Sequence, residues 1–314
     1  MSQNPVQQFF GKRMRALLSD SPDGMPPWVG EIDTEEGAGL YTPNDAPWVI
    51  HANIGTLVGG IRALLLQALH PGSLAGVRDH SRYMQEPLGR LAGTIRWLTI
   101  TTFGSKQAIG REAGRVNAMH AKVKGTYTKA GGARCPYRAT DTDLLLWVHV
   151  AFMDSFLRAH QQYTDTPIPG GADAYIRQWS KSVEPLGLKQ APMDEAQLIE
   201  CLKSFDDQLA VSDDTREVLH WIKHPPLPLT AMPFYRWLFQ AAVASMPLRL
   251  QDMMGFYILP DPIIKPTTRG LLKVMRAAIG THSPLEEAGV KRLKKAGVID
   301  PNTLTTAAQQ QQAT

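Results

Sequence analysis

Nine histidines carry most of the chemistry open to this chain, because its two cysteines, Cys135 and Cys201, stand alone with no CxxC and no metal-ligand spacing. No GxSxG, HExxH or Walker pattern occurs either. Two histidines stand out by position. His120 lies four residues after Val116 and three before Val123, in an apolar series that includes Ile109 and Met119. His149 lies four after Leu145 and three before Phe152. Both spacings put an imidazole on the inward face of a helix. Burying one without a partner costs about 1–3 kcal/mol, so each needs a hydrogen-bond acceptor, a metal or a polar cavity. By spacing alone, a core histidine bonded to a carbonyl or a side chain is the commoner meaning.

Haem is the sharper meaning. It asks for one axial nitrogen from a helix, an apolar slot for its ring and cations near its propionates. Arg90 and Thr94, four apart, turn a guanidinium and a hydroxyl to one side of a helix whose neighbours Leu91, Ile95 and Leu98 are apolar. An exposed Arg and a Thr bonded back to its own helix would have the same spacing. With the two inward histidines, the pair could line a polar spot in an apolar cavity.

The elements that must position these groups read as helices. Gly59 to His70 is one, ended by Pro71; Leu88 to Thr102 is a second, after the break at Pro87. A third runs from about Ser105 to Lys124, with Gly125 placed to end it. A fourth follows Thr140, where Thr140-x-x-Asp143 resembles a capping box, and carries the stripe Leu145, Leu146, Phe152 and Phe156. Further candidates are Ala196 to Ala210, Asp214 to Ile222 and the aromatic stretch Phe234 to Ser245, expected to be buried nearly all round. Ser283-Pro284-Leu285-Glu286 opens a last helix: Ser as cap, Pro at the first position, Glu to close the box. No fixed-period repeat and no strand–helix alternation is present, though short strands near Gly55 to Gly60 stay open. The expected fold class is all-α, a single globular helical domain.

Composition bounds the function. With 43% hydrophobic and 20% charged residues in 314, the chain is globular and can enclose a cofactor pocket. A net charge of +4, spread along the chain, argues against nucleic acid. The densest basic run, Lys291, Arg292, Lys294 and Lys295, reads as a solvated helix face. No apolar run approaches the ~20 residues of a membrane span. Peripheral membrane contact by the Pro225–Tyr257 stretch stays open beside its commoner meaning, buried core. The lone cysteines and an N-terminus without a signal-peptide core point to the cytoplasm. We expect an extension with a short helix (near Val6 to Leu18) over residues 1–40, the helical domain over 41–298 and a flexible tail over 299–314.

The stretch from about residue 48 to 160 resembles the catalytic domain shared by bacterial latex-clearing rubber oxygenases and the fungal oxygenase MpaB. The landmarks are Ala68-Leu69-His70-Pro71, Asp79-His80-Ser81, Pro87-Leu88-Gly89-Arg90-Leu91-x-x-Thr94 and Thr102-Phe103-Gly104. Val116-x-x-Met119-His120-Ala121-x-Val123-x-Gly125 and Tyr137-x-Ala139-x-Asp141 through Trp147-Val148-His149 follow. Their order and spacing are more specific than any one piece. The resemblance implies a haem pocket at the centre of the helical domain, with haem b held through iron by His120. It places Arg90 and Thr94 on the distal side as catalytic and cofactor-contacting residues, and His149 near the pocket in a supporting role. His70 and His80 belong to landmarks that fit helix-end or capping roles as well as chemical ones.

One departure matters. Rubber oxygenases have a lysine able to reach iron just before that Thr, and this chain has Gly93. The resemblance then implies an open distal face for O₂. An N-terminus without an export signal argues against extracellular attack on polymer, and the family analogy implies instead an apolar, isoprenoid-like small molecule as substrate. Glu112 and Asp143 are the polar candidates to bond the second ring nitrogen of His120. Two other classes stay in view: a haem-binding or sensing protein without turnover, and a helical binding module without haem.

Overall fold

The computed structural model describes residues 28–80, 87–279 and 283–305, with the side chains of 87–91 left aside. The helix expected near residues 6–18 and the final glutamine run lie outside these residues, and so do the side chains of His80 and Arg90.

Two helices form the centre. α3 (Thr56–Leu69) and α7 (Thr142–Tyr163) are the most closely packed pair, after α1 (Val29–Thr34) and α2 (Ala46–His51) and before most of the rest. They run antiparallel: Gly59 meets Phe156, Arg62 meets Asp154 and Ser155, and His70 at the end of α3 lies against Trp147. Gly59 allows this approach. A Cβ there would stand 2.7 Å from Phe156 Cδ1 and 3.2 Å from the Ser155 carbonyl oxygen. Gly59→Ala therefore should wedge the two helices apart and destabilise the protein by about 1–3 kcal/mol. Thermal unfolding reads this as a fall of several degrees, and an unchanged midpoint would contradict the tight crossing.

The other helices surround this pair. α4 (Pro71–His80) follows α3 after a one-residue corner; α9 (Glu195–Lys203), α10 (Asp213–Lys223), α11 (Met232–Ala244), α12 (Leu248–Met254) and α13 (Asp261–Ile279) complete the second half. α10 and α11 pack on α3, and α9 and α13 on α7. α5 (Pro87–Phe103), α6 (Lys106–His120), α8 (Gly171–Trp179) with the following 3-10 turn (Ser180–Leu186), and α14 (Pro284–Lys295) make the rest of the body. No helix among the described residues is long and apolar enough to cross a membrane. The fold is mainly all-α, as expected.

Several local expectations are corrected. The third helix stops at His120 rather than Lys124, and β1 (Lys124–Thr128) pairs antiparallel with β2 (Arg134–Arg138). This hairpin is the only sheet among the described residues, and Gly55 to Gly60 leads into helix instead. Met119 turns outward, 48% exposed, because the last turn of α6 sits at the edge of the fold. The helix after Thr140 is capped at Asp141 with no side-chain cap bond. α9 ends at Lys203, well short of Ala210. In α11, Phe234, Tyr235 and Trp237 are half-buried and Arg236 is exposed; Leu238, Phe239 and Ala241 to Val243 form the buried part.

At the start of α14 the Ser283 hydroxyl accepts from the Glu286 backbone N–H as expected, while the Glu286 carboxylate lies in the core and accepts from Trp48 Nε1 at 3.0 Å. Arg292, placed by sequence on a polar face, points inward at 1% exposure. It donates to the carbonyls of Gly37, Phe103 and Gly104, closing the ends of the domain together.

Candidate functional site

The expected residues sit on α5, α6 and α7. Gly93 and Thr94 are half-buried in the N-terminal half of α5, and Arg90 precedes them in the same helix. A Cβ at Gly93 would meet no heavy atom of the described residues within 4 Å. His120 is half-buried in the last turn of α6, one turn beyond the buried Val116.

His149 is the most enclosed of the set. It is 5% exposed on α7, and its Nε2 has no hydrogen-bond partner among the described residues. Burial pulls its pKa down to about 3, which keeps the imidazole neutral with its nitrogen lone pair available. At about 100° per residue, His149 shares a face of α7 with Phe152 and Phe156. That face is followed by rings: Phe152 lies 6.0 Å from Phe156, and Phe156 lies 5.1 Å from His51 on α2.

His51 is a residue that the sequence reasoning missed. Its Nδ1 lies 2.9 Å from Thr102 Oγ1 on α5 and its Nε2 3.1 Å from the Tyr175 hydroxyl on α8. Thr102 donates its own proton to the Leu98 carbonyl at 2.7 Å, so it accepts from His51 Nδ1–H, and Nε2 then accepts from Tyr175. The ring edge rests on Trp179 at 4.3 Å. This relay fixes the C-terminal half of α5 against α2 and α8. One residue earlier the Thr101 hydroxyl is fully buried and has no such carbonyl bond or other partner among the described residues. Helical threonines commonly bond back to the carbonyl four residues earlier, so this hydroxyl keeps capacity for a ligand. Thr94, Leu98 and Thr101 lie along one line of α5.

His70 has a structural job. Its Nδ1 accepts from the backbone N–H groups of Gly72 and Ser73 at 3.1 and 3.3 Å, capping α4, and its Nε2 lies 3.4 Å from Gln208 Oε1. The two polar candidates to support His120 are placed elsewhere. Glu112 is buried and accepts from Arg96 and Arg115, tying α5 to α6. It lies eight residues before His120, about 12 Å along the helix axis. Asp143 is exposed in the first turn of α7.

No three His, Cys, Asp or Glu side chains gather as a metal site among the described residues. Haem iron needs only one protein nitrogen, and the residues on these helices that bear on that simpler requirement are His120 and His149, the buried Nε2 of His149 and the buried Thr101 hydroxyl without partners among the described residues, and half-buried apolar residues such as Leu98, Leu146, Val148 and Phe152.

Residues 48–280 match the family described as ER-bound oxygenase mpaB/B'/Rubber oxygenase, catalytic domain. No curated protein and no solved structure matches the chain. The matched region extends far beyond residue 160 and takes in α8 to α13, so the central pair and the helices packed on it are family features together. The chain therefore belongs to the MpaB/rubber oxygenase family, whose oxygenase-type catalytic domain it carries.

Proposed function

We propose that this protein is a haem b-dependent oxygenase acting on an apolar, isoprenoid-like small molecule with O₂ as co-substrate. Beside the family membership, the observation that carries the reading is the buried, neutral and partnerless Nε2 of His149 on the aromatic face of α7. Buried polar atoms usually have a hydrogen-bond partner, so this nitrogen has capacity for a ligand or a water.

His120 is the proposed iron ligand, and its half-buried ring suits a cofactor that enters from solvent. Bound haem supplies the redox chemistry that activates O₂ toward a carbon–carbon double bond. The protein's own groups orient and enclose. Thr94 presents a hydroxyl from the first half of α5, and Arg90 stands one turn before it as the cation for a propionate or for O₂. Gly93 itself has no side chain to compete for the cofactor. His149 and Thr101 offer hydrogen bonds to the cofactor edge or to a water, while Leu98, Phe152 and Phe156 keep the slot apolar.

Titration with haemin tests this directly. The expected result is a 1:1 complex with a Soret band that His120→Ala abolishes or strongly shifts. His149→Ala should keep the band and weaken haem binding by about 10–100-fold, the usual range for a supporting residue. Reduced protein should then consume O₂ when a polyprenyl compound is added. Absence of any Soret shift at saturating haemin overturns the reading. Haem binding with no O₂ uptake on any apolar substrate would leave a haem-binding protein without turnover.

A further inference from the structure

The opposite face of α7 borders a cavity. At about 100° per residue, Trp147, Asp154 and Arg158 fall along one line of the helix, about 180° from His149, Phe152 and Phe156. The cavity measures about 880 Å³, within the range of ligand sites, and opens between α7, α9, α12 and the segment from Ile258 to Asp261.

Its walls are apolar, with Leu66, Leu202, Leu209, Met246, Leu250 and Leu259 contributing. Two of its residues keep buried N–H donors with no acceptor among the described residues: Arg62 Nε and Trp147 Nε1. Both side chains are 1% exposed. One acceptor, Gln162 Oε1, is also partnerless, but it lies about 22 Å along α7 from Trp147, toward the other end. Of the basic residues that line the cavity, Arg62 and Arg158 are paired with Asp154, Arg249 with Asp206 and Lys265 with Asp261, which leaves Lys203 as the lining cation outside these ion pairs. At the mouth, Leu248 is 75% and Ile199 39% exposed, apolar surface that an entering hydrocarbon would cover.

From this juxtaposition of a largely apolar cavity, two unsatisfied buried donors and the cation of Lys203, we propose that the protein binds a long-chain carboxylate here, its chain along α7 and its head group accepting from Arg62 or Trp147. The site is separate from the proposed haem slot by the full thickness of α7. It would let the protein hold a fatty acid whether or not haem is bound.

Hexadecanoate binding to the full-length protein, measured by calorimetry with and without haemin, tests the proposal. We expect one site per chain, with Leu202→Trp filling the cavity and reducing affinity at least tenfold while the haem titration is unchanged. Trp147→Phe, which keeps the ring and removes the N–H, should weaken binding by about tenfold, in line with loss of one charge-assisted hydrogen bond. Hexadecanol should bind more weakly than hexadecanoate. The proposal is overturned if hexadecanoate does not bind below its aggregation limit, if Leu202→Trp binds it as tightly as wild type, if hexadecanol binds equally well, or if His149→Ala rather than Leu202→Trp removes the site. Failure of haem binding leaves all these outcomes readable.

Discussion

Lowering the pH from 7 to 5 is expected to remove about 4 kcal/mol from the stability of the haem-free protein, a large part of the ~5–15 kcal/mol that holds an ordinary domain. The cause is a pair of buried imidazoles, His51 and His149, whose pKa values burial lowers from 6.5 to about 3. Between those limits the unfolded chain binds a proton at each site and the folded chain does not. Stability therefore falls as the pH falls, beginning near 6.5 and continuing toward 3. At pH 5 each group contributes about 2 kcal/mol to this loss, at about 1.4 kcal/mol per unit of displacement. The window lies above the range in which carboxylates of ordinary pKa release their ion pairs, so histidine is isolated as the cause. Burial also lowers His70 and His160, which adds to the trend in the same direction.

Urea unfolding at the two pH values gives the measurement. In His149→Leu the acid-dependent loss should shrink by about half, and the variant should be more stable than wild type at pH 5 because a partnerless polar group has been replaced by an apolar one. Equal stability of wild type at pH 7 and pH 5 would contradict the burial of both rings. The same substitution should lower haem affinity, so His149 would combine a stability cost with a binding role, as strained or unsatisfied groups at functional sites commonly do.

The legible parts of this protein were those encoded within a few residues. The His149 stripe came from the spacing of Leu145, Phe152 and Phe156, and the Ser283 cap from a four-residue signal. Reading failed where distant segments decide. The α6 helix was extended past His120 because Val116 and Val123 are seven apart, a spacing that helix and turn-plus-strand share over so short a run. The Thr126-Tyr127-Thr128 alternation and the Gly131-Gly132 turn were the local signals for the hairpin. Arg292 read as surface because its partners are carbonyls at Gly37, Phe103 and Gly104, nearly two hundred or more residues away and without side-chain identity. His51 was hidden in the same way, since Thr102 and Tyr175 meet it only after α2, α5 and α8 assemble. The cavity across α7 had no sequence signature, because its walls come from six separate helices and the loops between them.

Replacing Arg62 by alanine should be the most damaging single change in the core. Its Nη2 lies 2.6 Å from Asp154 Oδ2 and its Nη1 donates to Ser155 Oγ at 2.9 Å, with both partners of the ion pair nearly excluded from solvent. The pair lies between the two central helices, where desolvating the charges offsets much of their attraction. Removing one charge is therefore worse than removing both. Arg62→Ala leaves Asp154 buried with Arg158 as its remaining described cation, 3.1 Å away and itself shared with Glu195. The expected loss is about 3–5 kcal/mol, read as a lower urea midpoint with circular dichroism. Arg62→Met combined with Asp154→Leu should recover most of it, since two apolar residues of similar volume fill the gap without an uncompensated charge. A single variant within about 1 kcal/mol of wild type would instead mean that the carboxylate finds water or a proton easily, and that the centre of the fold is less closed than its contacts indicate. The recovered double variant also separates folding from binding: with the fold restored and the guanidinium gone, it should take up haem normally and hold hexadecanoate at least tenfold more weakly.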